Sequence, residues 1–186
     1  RVEIDKPFWI GRVEVTNEQF ACFDAQHDSQ VEPMHGYQFG VHGYPTNQPQ
    51  QPVVRVSWNE AMAFCRWLSH KFGDDVDVRL PDEWEWQWAA QSARADFSYP
   101  WGPEWKEGVA NTYEAGIGRT TAVGIYPAGQ SRQSVYDLAG NVWEWCRNQH
   151  DDPRKTEPGG DESRVLRGGS WLGNRGFARA DARYGG

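Results

Sequence analysis

Gly140-Asn141-Val142-Trp143-Glu144-Trp145 is the stretch on which the reading of this chain turns. The glycine marks a turn whose carbonyls face outward. Asp137 and Glu144 flank Gly140-Asn141-Val142. Two carboxylates and the carbonyls of a glycine turn offer the hard oxygen donors that calcium takes. The alternative is purely structural, with Asp137 and Glu144 capping the turn and pairing with arginines. Trp143 and Trp145 read as core residues.

Outward from this segment, the composition matches the turn. The chain has 186 residues, with 11 Trp, 20 Gly and 11 Pro. Large rings joined by Gly and Pro turns predict a loop-rich domain with aromatics filling the gaps. The length suits one domain, 1–186, and the opening at Arg1 inside a strand-like approach suggests truncation at one or both ends. The formal net charge of −7 disfavours generic binding to nucleic acid. No run of 18 apolar residues is present, so no membrane-spanning helix is expected in this segment. Cys22, Cys65 and Cys146 are isolated and odd in number, which argues against a disulfide framework. They read as buried reduced thiols, with one disulfide plus a free thiol as the alternative.

Local signals define the elements. Residues 8–15 alternate and read as a strand. Thr16 and Gln19 form a capping box that opens a helix from Asn17 to about Phe23. Residues 24–52 lack periodicity and read as a long, functional or mobile loop. Residues 53–56 read as a strand. Ser57 and Glu60 form a second capping box, and Ala61, Phe64, Cys65 and Leu68 give the following helix its apolar face before Gly73 ends it. Residues 78–80 read as another strand, and a helix follows Pro81-Asp82-Glu83. Residues 98–135 are mostly turns, 148–163 an exposed loop, and 165–167 a strand. The pattern is α+β, built on two helices with short antiparallel strands and long loops.

Six segments now stand in order: Glu14–Phe20, Pro52–Trp58, Arg79–Glu83, Tyr99–Gly102, Tyr136–Trp145 and Arg167–Trp171. Together they resemble the formylglycine-generating-enzyme, or sulfatase-modifying-factor, family from end to end of the chain. The resemblance implies a C-type lectin-like fold. The family includes copper oxidases that make formylglycine, domains of non-haem iron sulfoxide synthases, and non-catalytic binding proteins diversified by retroelements. Fold alone does not choose among these activities.

The resemblance implies a structural calcium held by side-chain oxygens of Asp137 and Glu144 and the carbonyls of Gly140 and Val142. It places a second calcium near Asn111 and Thr112, where this chain is shorter than the longer enzymes. The family's oxidases carry two cysteines after Gly168-Gly169-Ser170-Trp171, and thiolates suit the soft Cu(I) ion. Here those positions hold Gly173 and Ala178, so neither copper nor formylglycine generation is expected. The histidines, with His35 and His42 in one loop, are too scattered to hold iron. The family also tends to finish in a Gly-Phe-Arg strand beyond the point where this chain stops, which again suggests truncation.

The tail, residues 172–186, resembles the variable region of retroelement-diversified proteins. Asn codons randomised at adenines cannot yield Trp, Lys, Glu, Gln or Met, and none of these occurs there. Arg175, Ala178, Arg179, Ala180, Ala182 and Arg183 read as the fixed set, with the arginines pairing internal carboxylates. Leu172, Gly173, Asn174, Gly176, Phe177, Asp181, Tyr184, Gly185 and Gly186 read as the variable, ligand-contacting set. The resulting expectation is a non-catalytic protein that binds an unknown protein or small-molecule ligand. The alternative is a non-haem metal-dependent oxygenase or oxidase. Of Trp58, Trp84, Trp86, Trp88, Trp101, Trp105, Trp143, Trp145 and Trp171, most read as core, and Trp105, in a polar turn, as the best candidate for exposure.

Overall fold

A computed structural model describes residue 4 and residues 6–30, 46–73 and 75–186. His35 and His42, and most of the loop expected over 24–52, lie outside these residues.

The capping boxes form as the sequence requires. The Thr16 hydroxyl accepts from Gln19 N, and Thr16 N donates to the Gln19 side chain, opening α1 (Asn17–Ala21). Ser57 and Glu60 repeat the arrangement at α2 (Trp58–Phe72). α2 buries Trp58, Phe64 and Cys65, and Gly73 ends it at φ +94°, a backbone that side chains resist. Asp82 caps α3 (Glu83–Ala90), with its own N–H donating to Glu85. Single 3₁₀ turns form at Tyr113–Ala115 and Pro127–Gly129.

Three short strands make one antiparallel sheet in the order β1 (Glu144–Gln149), β2 (Arg164–Arg167), β3 (Tyr184–Gly185). Glu144 faces Arg167, and Leu166 faces both Trp145 and Tyr184. α3 packs on this sheet. Trp86, Ala89 and Ala90 join Val135, Leu138, Cys146, Val165 and Ala180 in the main core. A smaller cluster of Ala110, Ala139 and Ala178 is covered by Trp101 and Trp105.

Helix signals therefore held, with three α-helices rather than two, and strand signals held less well. Residues 8–15 do not join a sheet. They run along the domain through Tyr136 N to Arg12 O and Val53 N to Val15 O. Arg55 takes φ +60°, which breaks the expected strand at 53–56. Val78 is tied by both its N–H and C=O to the Ser69 hydroxyl instead of to a strand. α1 stops two residues early, so Cys22 sits exposed at its C-cap. Cys65 and Cys146 are buried, and all three cysteines are free.

Beneath the sheet lies a buried ionic network. Arg167 and Glu83, both almost fully buried, meet at 3.0 Å, and Arg183 reaches the same Glu83 carboxylate at 2.5 Å. Asn148 Oδ1 accepts the Glu83 N–H at 2.7 Å. Removing one member of such a set strands the remaining charge away from water. Glu83→Ala is expected to lower unfolding free energy by about 3 kcal/mol, read from the denaturation midpoint at constant m-value; a loss below about 0.5 kcal/mol would show that the network does not secure the fold.

Candidate functional site

Gly140 and Asn141 both lie in left-handed backbone, at φ +90° and +61°. A Cβ on Gly140 would stand 2.3 Å from the Asn111 carbonyl oxygen, so only glycine fits. That close approach lets Asn141 N donate to Asn111 O at 2.7 Å. The Asn141 side chain is fully used: its amide donates to Glu14 at 2.6 Å, and its carbonyl accepts from Thr121 N and from Asn111. Its backbone carbonyl accepts from Trp171 N. The turn thus joins the chain's beginning, its middle and the entrance to its tail.

Three carboxylates surround this turn. Glu14 is buried, and burial first, then the nearby Asp137 and Glu144 charges, raise its pKa well above the ordinary range. Burial also raises Asp137, against a hydrogen bond from Gly124 N at 2.6 Å. Glu144 is pushed up to about 8 by burial, with Asp137 adding to it. The Trp86 indole lies beside Glu144 and offsets part of this, although its N–H completes no hydrogen bond among the described residues. Among the described residues no guanidinium or ammonium group is among the influences on Asp137 or Glu144, so the arginine pairing of the alternative reading does not form there. In donor chemistry, Asp137 and Glu144 fit a hard cation. Among the described residues no group of three or more His, Cys, Asp or Glu side chains could hold an ion, so carbonyls such as those of Gly140 and Val142 would have to complete the shell. At the second expected position, Asn111 and Thr112 are buried, and the Asn111 side-chain oxygen has no hydrogen-bond partner.

The tail ends in the sheet as β3 and is held mainly by its main chain. Gly173 O accepts from Tyr113 N, and Arg175 N donates to the Glu114 carboxylate at 2.9 Å. Ala180 N donates to Ser98 O. Arg167 donates to the carbonyls of Ala180 and Ala182 at 3.2 and 3.0 Å. Among side chains, Arg183 secures Glu83 and His150 O. Arg179 pairs with exposed Asp181 and also meets Tyr99, and Arg175 lies within electrostatic reach of Glu114.

The two residue sets divide by exposure. Leu172, Asn174, Gly176, Phe177, Asp181, Tyr184 and Gly186 are exposed, and Gly173 and Gly185 half-buried. Of the expected fixed set, Ala178 and Ala180 are buried, Arg179, Ala182 and Arg183 half-buried, and only Arg175 exposed. Added side chains at Gly185 or Gly186 would meet Ser163 Oγ at 2.5 Å or Leu166 and Trp145 at 2.8 Å, so these two positions accept substitution only if neighbours shift.

Sequence reasoning missed the aromatic surroundings of the tail. Trp143 sits beside Phe177 (6.1 Å between centroids) and Tyr184 (5.5 Å). Trp105 packs on Tyr99 and Trp101 at 5.2 and 5.5 Å, so the ring expected to be exposed is half-buried. Trp9 and Trp88 are the exposed tryptophans among the described residues. No helix among those residues is long and apolar enough to cross a membrane.

Known proteins bear on this geometry. Residues 1–185 match the model of the sulfatase-modifying factor enzyme 1-like domain. The chain is 37% identical over 149 residues to a formylglycine-generating enzyme of Streptomyces coelicolor, covering 68% of this chain and 44% of that protein. It is 36% identical over 131 residues to the mouse inactive C-alpha-formylglycine-generating enzyme 2, covering 65% of this chain and 38% of that protein. The chain thus spans less than half the length of these curated relatives. Among solved structures, Treponema denticola variable protein 1 superposes with a TM-score of 0.72 at 25% identity, over 92% of this chain and 76% of that one. PvdO from Pseudomonas aeruginosa gives 0.69 at 28%, over 94% and 72%. These matches support the C-type lectin-like α+β architecture, and the chain belongs to the sulfatase-modifying factor family.

Proposed function

We propose that this domain is a non-catalytic binding module whose contact surface is the tail, residues 172–186, varied by a retroelement while the scaffold stays constant. The observation that carries this reading is the division of labour in the tail. Its anchors are backbone groups, buried alanines and Arg183, whereas five of the nine positions expected to vary, Leu172, Asn174, Phe177, Asp181 and Tyr184, carry exposed side chains. Side chains that bear no anchoring load can be exchanged without loss of fold, as in antibody loops.

Two further facts support it. The oxidases' thiolate positions hold Gly173 and the buried Ala178, which offer no soft-metal ligand. The mouse relative is itself named inactive, and the Treponema denticola neighbour a variable protein. Flanking DNA tests the diversification directly. A near-copy of the segment encoding residues 168–186 is expected close to a reverse transcriptase gene, with mismatches confined to adenines; mismatches spread over all bases would remove the retroelement from the reading.

Within the same proposal, calcium at Asp137, Gly140, Val142 and Glu144 stiffens the turn from which the tail departs. The pH dependence follows from the buried carboxylates. Folded Glu144 holds its proton to about 8, whereas the unfolded chain releases it near the ordinary 4.5. Between those values the folded state binds more protons, so stability falls as pH rises, and Glu14 acts in the same direction. A cation reverses this by favouring the ionised form. With calcium chelated, the melting temperature should drop between about pH 5 and 8, and Glu144→Gln should flatten the slope. Calcium should raise the melting temperature more at the upper end of this range than at the lower. An unchanged melting temperature at millimolar calcium would remove the ion from the model.

A further inference from the structure

Resting on that binding role, we infer that Trp143 is the constant floor of the tail surface, and that the surface takes an apolar, acid-bearing segment of a protein partner. Trp143 belongs to the signature turn segment, outside the positions expected to vary. Its ring nonetheless lies against two of them, at 6.1 Å from Phe177 and 5.5 Å from Tyr184. Phe177 is 44% exposed and Tyr184 53%. The indole therefore supports whatever side chains occupy positions 177 and 184, and its half-exposed ring adds to the same face.

The shape of this face favours a macromolecule. Two cavities among the described residues, of about 400 and 320 Å³, are not lined by residues 172–186: one lies beside α1, and the other, lined by residues from 10–15, α2 and 142–145, reaches Trp143 from the interior. Phe177 and Tyr184 against Trp143 form an exposed aromatic ledge. A small molecule resting on a ledge buries one side only, whereas a protein surface can cover the rings and exclude water.

Charge specifies the partner's rim. Residues 172–186 carry three arginines and one aspartate within a chain of net charge −7. Asp181 pairs with Arg179 at 2.9 Å, whereas the single Glu83 carboxylate is shared between Arg183 and Arg167. Arg175 is exposed, within reach of the Glu114 charge. The nearest acid, Glu114, accepts the Arg175 backbone N–H with both oxygens. An acidic residue beside an aromatic or aliphatic one complements this pairing of ring and guanidinium.

The test is selection of 12-residue phage-displayed random peptides on the folded domain, with counter-selection against a Phe177→Ala/Tyr184→Ala variant. Enriched peptides are expected to place Asp or Glu next to Phe, Trp, Leu or Ile. Trp143→Ala should weaken them at least about tenfold, and Trp143→Phe, which keeps a ring and guards against misfolding, should restore most of the affinity. Arg175→Gln should reduce the salt dependence of binding. Tail-dependent peptides that bind Trp143→Ala as well as wild type would overturn the role of Trp143 and leave the binding function standing. Enriched peptides without acidic residues would overturn the charge rule. Failure to enrich any tail-dependent peptide would count against the inference and the binding function together.

Discussion

The contact between buried Arg167 and Glu83 is the constraint on which the surface depends. An isolated guanidinium in this position would be costly, because burial disfavours its charge. Glu83 answers the charge, and Gln87 and the carbonyls of Ala180 and Ala182 take up further N–H groups. One side chain thereby joins β2, α3 and the tail. The Glu83 carboxylate also holds Arg183, and its backbone N–H is fixed by Asn148 on β1. Ion pairs of this type contribute little net stability compared with apolar packing, but they tolerate few alternative arrangements. Their effect here is to give the tail one course across the domain.

The Asn141 turn performs the corresponding task at the other end. Trp171 N is tied to Asn141 O, so the chain enters the tail from a fixed point. Between that point and Arg183 the anchors are main-chain hydrogen bonds and the buried Ala178 and Ala180. On the proposed reading, this separates two requirements that usually conflict. A binding surface must vary in chemistry, and a fold must not. Anchoring through the backbone meets both, because hydrogen bonds from N–H and C=O groups are indifferent to the side chain they belong to.

Much of this was legible in the sequence where the causes are local. The capping boxes at Thr16 and Ser57 need only four residues each, and both form. In the tail, the small residues Ala178 and Ala180 read as scaffold and are buried, and most of the positions read as variable are exposed. Strands were harder to read. Their partners are distant, and a single residue such as Arg55 in left-handed backbone stops one. β1 was hidden inside the signature segment, where Glu144 and Trp145 already carried other readings. The aromatic contacts of Trp143 could not be read at all, since positions 177 and 184 reach it only after the tail has folded across the sheet. The gathering of Glu14, Asp137 and Glu144 around one turn is likewise a tertiary fact, since Glu14 lies more than a hundred residues away in the chain.

The division between anchoring backbone and free side chains is the central claim, and a saturation substitution scan of residues 172–186 read by protease resistance tests it most directly. Positions 172, 174, 177, 181 and 184 should accept nearly every residue type, while 178, 180 and 183 should accept few. Equal sensitivity across both groups would mean that the exposed side chains help to hold the fold, and the tail could not then serve as an exchangeable surface.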